Sequence, residues 1–222
     1  MHPIKKFRPI PSGKIGAKAA WTFAVILSLI AFGIAFYLGI NFLLAAGLYY
    51  VIMVLYSYLL KHIVILDIMV IAGGFVIRAI AGAFAVDVVI SSWLLVCATL
   101  LALFLVLSKR RHEVILLGED AEHHRKILKE YGAKFLDQMI SVVTAATLMS
   151  YILYTMDAVT VEKFGTSKLI LTTPFVLYGI FRYLYLVYQK NMGGRPEEVL
   201  LNDLPIIGAV VLYVVTAVII IY

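Results

Sequence analysis

The sequence predicts an all-α protein whose helices cross a membrane, and three observations support that prediction. Of the 222 residues, 63% are hydrophobic and only 14% are charged, and the mean hydropathy is +1.00. A soluble domain is about half apolar and a quarter charged. The apolar residues also fall in long continuous runs, unlike the alternating pattern of a membrane β-barrel. Because lipid offers no partner for the backbone, we expect these runs to be helices.

Seven apolar runs are each close to the roughly 20 residues that a membrane-crossing helix needs. The predicted spans are Ala19–Leu38, Phe42–Leu60, Val64–Phe84, Trp93–Leu107, Met139–Met156, Leu169–Tyr188 and Leu204–Tyr222. The fourth run is short, but Ser91-Ser92 precedes it and can cap its first turn. We therefore expect one transmembrane domain over residues 1–222, with a cytoplasmic helical cap formed by the loop 109–138.

The connections between the runs alternate in charge, and this predicts the orientation. Basic residues occur in the N-terminal segment, at Lys61, in the 109–138 loop and at Arg195, on every second side. The positive-inside rule places that side in the cytoplasm, with the chain in the plasma (inner) membrane. The net charge of +6 is explained in this way and does not point to nucleic acid. Seven spans then put Tyr222 on the opposite side.

Two charged residues lie inside the third run, where each is costly. Asp67 and Arg78 are eleven positions apart, so they share one helix face but stand about 16 Å apart along the axis. They are too far apart to pair with each other. Either each pairs with a group on another span, or the two line a polar cavity that opens to the cytoplasm.

The first residues, HPIKKFRPIPSGKI, form a cationic segment whose prolines prevent a regular helix. Its cations would share the cytoplasmic face with Lys61, Lys109-Arg110-Arg111 and Arg182. Topology signalling and contact with lipid headgroups can account for such clusters. The alternative is an anionic substrate, most simply a phosphate, because a pre-set backbone that carries cations loses less entropy on binding.

One further polar stretch, YGAKFLD, lies where the fifth run begins and contains Tyr131 and Asp137. The carboxylate could simply complement the positive end of the helix dipole. It could equally belong to a site at the membrane surface, and the residues leave both interpretations open.

Six stretches together resemble the UbiA-type polyprenyl transferases, and within them the branch that transfers phosphoribose to decaprenyl phosphate. They are HPIKKFRPIPSGKI, LKHIVILDIMVIAGGFVIRAIAGAFAVDVVISSWLL, LSKRRHE, YGAKFLDQM, FRYLYLV and GGRPEEVLLND. The resemblance covers essentially the whole chain. The combination is specific, whereas each stretch alone is a weak signal.

The resemblance implies a UbiA-like helical bundle and an enzyme. A polyprenyl phosphate would attack the anomeric carbon of phosphoribosyl diphosphate, while Mg²⁺ and cationic side chains hold the diphosphate. Carried over to this sequence, the substrate contacts would be Lys5, Lys6, Arg8, Lys61, Arg78, Lys109, Arg110, Arg111, Tyr131, Asp137 and Arg182. Asp137 would contact either Mg²⁺ or the ribose hydroxyls. A homo-oligomer is a further expectation.

The sequence departs from the family pattern at its start. The family has nine spans and carries an Asn-Asp-x-x-Asp-x-x-x-Asp motif immediately before the segment that matches His2-Pro3. This chain begins at Met1, so we expect an N-terminally truncated form with little activity on its own. Two alternatives stay open. One is a UbiA-type prenyltransferase that uses an isoprenoid diphosphate and an aromatic acceptor, and the other is an inactive membrane protein that binds polyprenyl phosphate.

Overall fold

The computed structural model describes residues 9–10, 12–88, 90–117, 130–194 and 196–222. The predicted substrate contacts at Lys5, Lys6 and Arg8, and the centre of the predicted helical cap at 118–129, lie outside these residues.

Seven long helices in the described residues are each long and apolar enough to cross a membrane. Their bounds are α1 Ala17–Tyr37, α2 Ile40–Tyr58, α3 Leu66–Ala85, α4 Ser92–Leu117, α5 Ala133–Met156, α7 Thr173–Gln189 and α9 Leu204–Ile221. The sixth span includes the 3₁₀ turn that precedes α7 and so runs over Lys168–Gln189. The described residues contain no strand. The predicted all-α, seven-span architecture is confirmed, and the chain is a multi-pass membrane protein.

Shorter elements complete the connections. They are the 3₁₀ turns Leu60–His62 and Lys168–Thr172 and the short helices α6 Ala158–Phe164 and α8 Pro196–Asn202. The sequence did not predict either of the two short helices. The turn between α1 and α2 depends on Gly39, whose φ of +112° is a conformation that side chains with a Cβ rarely adopt. Asp203 caps α9 by accepting the backbone N–H of Ile206 at 3.0 Å.

The helix bounds agree with the predicted spans except at the long loop. Helix α4 runs ten residues beyond the predicted end at Leu107, and α5 begins six residues before Met139. The described ends of the predicted helical cap are therefore continuations of α4 and α5. The extension of α4 carries Arg110, whose ion pair with Asp67 of α3 holds this charged turn against the bundle.

The best-packed part of the protein lies at the predicted cytoplasmic ends of the helices. Helix α4 packs most extensively on α5 and also on α3, while α7 packs on α9 and α2 on α3. The core there includes Ile68, Leu107, Leu136, Ile140 and Val187, all buried. By contrast, α1 has only one buried residue, Ala35, and exposes large apolar side chains, as expected for contact with lipid.

The loop after α7 reaches this core through two glycines. A Cβ on Gly193 would stand 3.0 Å from the Ser108 carbonyl oxygen, and one on Gly194 would stand 2.6 Å from the His112 ring. The absence of a side chain therefore lets the loop lie directly against α4, close to the basic cluster that ends it.

Candidate functional site

In the part of the chain that the structure describes, three ion-paired arginines lie in the predicted cytoplasmic halves of α4 and α7. Arg110 pairs with Asp67, Arg111 with Asp137, and Arg182 with Asp203. Each pair joins different elements of the bundle, so each positions a cation by tertiary structure and not by local sequence. The three arginines differ in how many of their guanidinium nitrogens are bonded to groups of the protein.

The first pair belongs to a buried network around Asp67, which has no exposed surface. Its Oδ1 accepts the Tyr131 hydroxyl at 2.6 Å. Its Oδ2 lies 3.1 Å from Arg110 Nε, close enough for an ion pair although the two atoms are not aligned for a hydrogen bond. The network therefore ties the start of α3 to α4 and to the segment that precedes α5.

Tyr131 also holds a strained turn. Ile65 has a φ of +69°, which is rare for a β-branched residue, and such conformations cost about 1–3 kcal/mol. The Tyr131 hydroxyl accepts the Ile65 backbone N–H at 2.5 Å. Burial and the hydrogen bond to Asp67 raise the pKa of Tyr131 well above its usual range. The hydroxyl therefore stays protonated and remains a donor to Asp67.

Arg110 is occupied by protein groups along its whole guanidinium. Besides Asp67, its Nη1 donates to Glu113 Oε2 at 2.6 Å and its Nη2 donates to the Tyr56 hydroxyl at 3.5 Å. The side chain is 6% exposed. Of the two interpretations of Asp67, the structure thus shows pairing with a group on another span. The substrate contacts predicted for Arg110 and Tyr131 stay predictions.

Arg111 is held differently. Its Nε donates to Asp137 Oδ1 at 2.5 Å, and its guanidinium carbon lies 4.0 Å from the centre of the Tyr188 ring. The Tyr188 hydroxyl also lies beside both charged groups. The Arg111 side chain is 12% exposed and that of Asp137 is 38% exposed. The arrangement joins α4, α5 and α7 at the membrane surface.

Arg182 and Asp203 form a two-point contact. Arg182 Nη2 donates to Asp203 Oδ2 at 2.9 Å and its Nε donates to Oδ1 at 3.2 Å. Asp203 was not among the site residues predicted from the sequence, although its position before Leu204-Pro205 is typical of a helix cap. The hydrogen bond from Arg182 holds the pKa of Asp203 below its usual range.

This pair predicts a pH dependence. Because the pKa of Asp203 is lowered in the folded protein from its ordinary 3.8, the ionised carboxylate stabilises the fold above that value, and this stabilisation is lost as the pH falls through the lowered pKa. The wild type should therefore be more heat-stable than Asp203→Asn at neutral pH, and the difference should shrink under acid. Thermal unfolding in detergent across the acid range measures it. A gap that stays constant down to about pH 2.5 would contradict the lowered pKa.

The other predicted cations have no described carboxylate partner. Lys61 lies half-buried in the 3₁₀ turn after α2, and Lys109 is exposed on α4. Arg78 donates its Nε–H to the Gly74 carbonyl at 3.2 Å. Its guanidinium also lies 4.5 Å from the centre of the Phe75 ring. These contacts of Arg78 are with its own helix α3, and Asp67 lies eleven positions away on that helix.

An apolar cavity of about 500 Å³ lies between α4, α5, α7 and α9. Its walls include Leu94 and Leu105 of α4, and small residues such as Gly179 leave the space. One end lies near the Arg182–Asp203 pair, because its lining includes Tyr183, the residue after Arg182, and Ile206, whose backbone N–H Asp203 accepts. The sequence did not predict this cavity; it suggested a polar one around Asp67 and Arg78 as an alternative.

The side chains around Asp137 show whether it could belong to a magnesium site. Among the residues described, no group of three or more His, Cys, Asp or Glu side chains could hold a metal ion. The charged group that Asp137 contacts is a cation, Arg111. The described residues therefore do not fit a magnesium site by themselves, and the metal-binding role of Asp137 stays a prediction.

Comparison with known proteins agrees with the resemblance seen in the motifs. The model of the UbiA prenyltransferase family matches residues 1–202. The chain is 31% identical over 209 residues to the decaprenyl-phosphate phosphoribosyltransferase of Mycolicibacterium smegmatis, covering 91% of this chain and 65% of that protein. It is 32% identical over 205 residues to the Corynebacterium glutamicum protein of the same name, covering 91% of this chain and 61% of that protein.

A third relative with that name, from Mycobacterium tuberculosis H37Rv, is 31% identical over 204 residues. That match covers 91% of this chain and 66% of the relative. The chain thus spans slightly less than two thirds of the length of these curated relatives. With a family model matched over most of its length and seven apolar helices in the bundle, the chain belongs to the UbiA prenyltransferase family.

Proposed function

We propose that this chain transfers phosphoribose from phosphoribosyl diphosphate to a polyprenyl phosphate such as decaprenyl phosphate. The relatives that carry this activity in their names align with 91% of the chain. The structural observation that best supports the proposal is the apolar cavity whose predicted cytoplasmic end lies near the Arg182–Asp203 pair. A lipid with an anionic head needs both features.

The cavity suits the isoprenoid part of the acceptor. Leu94 and Leu105 both line it, so it extends over at least eleven residues of α4, or roughly 16 Å. Lipid tails outside the protein are as apolar as this lining, so moving an isoprenoid chain from the bilayer into the cavity contributes little to affinity. Selection must therefore come from the phosphate groups, which would meet the cations at the membrane surface.

The reaction requires positioning and charge stabilisation more than proton transfer. A lipid phosphate is already an anion, so its oxygen can attack the anomeric carbon without a general base. A bond forms between the phosphate oxygen and the anomeric carbon as the bond from that carbon to the diphosphate oxygen breaks, and the diphosphate leaves with the bonding electrons. Cationic side chains that face the leaving group stabilise the charge it gains. Arg111 and Lys109 are the described candidates, and Lys61 is a further one from another connection on the predicted cytoplasmic side.

The resemblance also implies Mg²⁺, which when bound would neutralise charge on the diphosphate. The described residues do not form a magnesium site, so the proposal assigns the ion to none of them and uses it in no step. The homo-oligomer expectation likewise stays a prediction.

The orientation is part of the proposal. We place the basic ends of the helices in the cytoplasm, because the basic connections of the chain alternate with neutral ones. The plasma membrane is the location we propose for the chain. Single cysteines at Ser12 and Ser91, in a Cys97→Ala background, should react with an impermeant thiol reagent from the cytoplasmic and the outer side, respectively. Labelling of either one from the other side would contradict this orientation.

The cavity gives a direct test of the activity. Gly179 lines it, and a Cβ there meets nothing within 4 Å, so Gly179→Leu should fit the helix but fill the space. We expect this variant to lower the transfer of labelled phosphoribose to polyprenyl phosphate about tenfold, which corresponds to about 1.4 kcal/mol. Gly208→Leu, on the exposed face of α9, is the matched control.

Two results would contradict the proposal. One is an absence of labelled lipid, under conditions in which the Mycolicibacterium smegmatis relative produces it, both from the chain alone and from the chain extended by a segment that carries the Asn-Asp-x-x-Asp-x-x-x-Asp motif. The other is prenylation of an aromatic acceptor in place of phosphoribose transfer, which would favour the other activity known in this family.

A further inference from the structure

We propose that Asp137 is a positioning residue for Arg111 and not a metal ligand. In this arrangement Asp137 and Tyr188 fix the guanidinium of Arg111 so that its terminal nitrogens bind a phosphate group of an anionic substrate. The inference rests on the proposed function for the nature of that substrate, but the binding it describes can be measured separately.

The first argument comes from comparing the three ion-paired arginines. In Arg110 and Arg182 a terminal nitrogen of the guanidinium donates to a carboxylate: Arg110 Nη1 to Glu113, and Arg182 Nη2 to Asp203. The contact between Arg111 and Asp137 involves Nε alone. Among the described ion pairs, only this one leaves both terminal nitrogens, Nη1 and Nη2, without a carboxylate. These nitrogens form the paired-donor edge that matches two phosphate oxygens.

The second argument concerns orientation. A guanidinium held only through Nε could still swing about its side-chain torsions. Tyr188 restricts that movement, since its ring lies 4.0 Å from the guanidinium carbon. The carboxylate and the ring come from α5 and α7, so three helices fix the group. Ordering it before the substrate arrives removes an entropic cost that binding would otherwise carry.

The third argument is against a metal ion at Asp137. Magnesium needs carboxylate and phosphate oxygens in near-octahedral geometry. Arg111 Nε lies 2.5 Å from Asp137 Oδ1, so a divalent ion on the same carboxylate would stand close to a fixed positive charge and be repelled. The described residues also provide no cluster of further carboxylate or histidine ligands there. The chemistry of the neighbours thus favours an arginine-orienting role.

The test is the binding of inorganic diphosphate to the purified full chain in detergent, measured by calorimetry with EDTA and again with Mg²⁺. Asp137→Ala should weaken binding about tenfold in EDTA, a modest share of the loss expected for a charge-assisted contact. Asp137→Asn should retain most of the affinity, because its amide oxygen still accepts the Arg111 Nε–H. Arg111→Lys should bind as weakly as Arg111→Ala, because an ammonium lacks the paired donors.

Tyr188 provides a second pair of variants. Tyr188→Phe keeps the ring but loses the hydroxyl that lies beside Arg111 and Asp137. It should therefore bind diphosphate somewhat more weakly than the wild type, and Tyr188→Leu should bind more weakly still. Rescue by asparagine and by phenylalanine is a readout that a purely structural role would not give, provided all variants unfold at similar temperatures. Should Asp137→Ala fail to fold, Asp137→Asn decides alone: near-wild-type affinity in EDTA supports the inference, and full loss overturns it.

A metal-ligand role gives the opposite pattern. Asp137→Asn and Asp137→Ala would then lose equally the part of diphosphate binding that needs Mg²⁺, with binding in EDTA unchanged, and that result would overturn the inference. No diphosphate binding by the wild type in EDTA would also overturn it. The proposed function fails separately. If the chain binds diphosphate through Arg111 and Asp137 but transfers no phosphoribose, only the activity is wrong.

Discussion

Replacing Asp67 by alanine should lower the free energy of unfolding by about 3–5 kcal/mol, because removing one partner of a buried ion pair leaves the other charge uncompensated. Arg110 would stay buried beside Glu113 alone, with its Nε facing no anion. Tyr131 would lose its hydrogen-bond acceptor at 2.6 Å and with it part of the support for the strained Ile65 turn. Unfolding in mixed detergent micelles measures the loss.

Asp157→Ala is the matched control. Asp157 precedes α6, where no side-chain capping hydrogen bond is formed, so its replacement should change stability by less than about 0.5 kcal/mol. A double variant, Asp67→Leu with Arg110→Met, separates the causes. If the loss comes from a stranded charge, the double variant should be more stable than Asp67→Ala. Equal stability of Asp67→Ala and Asp157→Ala would show that the network contributes little.

Replacing Arg111 by alanine should lower kcat/KM for phosphoribose transfer about a hundredfold, the size seen when one preorganised donor to a developing negative charge is removed. The proposal places the terminal nitrogens of Arg111 against the phosphate groups, where charge grows as diphosphate departs. Arg110→Ala differs, because Arg110 is held by Asp67 and Glu113. We expect its main effect on stability.

Lys163→Ala controls for the loss of a positive charge. Lys163 is exposed on α6, in the connection between α5 and α7 that the orientation places on the outer side. Its removal should leave the transfer rate unchanged. If Arg111→Ala and Lys163→Ala had the same kinetics, Arg111 would be a surface cation that contacts only lipid headgroups.

Much of the fold was predictable because lipid imposes a simple rule on the sequence. Each membrane crossing needs a long apolar run, and all seven predicted runs are helices in the structure. The sequence did not predict the end of α4, because the polar stretch 108–113 interrupts its apolar run before the last turn. It did not predict the start of α5, because Lys134, Asp137 and Gln138 lie in its first turns. Ion pairs of Arg110 and Arg111 with residues on α3 and α5 support this region. Such support comes from tertiary contacts and leaves no apolar signal in the sequence.

The site was predictable in its residue types but not in its pairings. The sequence identified a cationic face and the resemblance identified Asp137. However, Asp67 and Tyr131 meet across 64 positions, and no periodicity links them. Asp203 had a recognisable cap position, whereas its contact with Arg182 depends on how α7 packs against α9. The cavity arises from side-chain sizes on four helices and could not be inferred from any one of them.

The most direct test of the proposed activity follows two labels into one product. Membranes that contain the chain extended by a segment with the Asn-Asp-x-x-Asp-x-x-x-Asp motif would receive polyprenyl phosphate labelled at phosphorus and phosphoribosyl diphosphate labelled in the ribose carbons. We predict a lipid-extractable product that carries both labels, formed together with an equal amount of free diphosphate. A lipid fraction that gains no ribose label, while the Mycolicibacterium smegmatis relative forms the doubly labelled product in parallel, would contradict the proposed transfer.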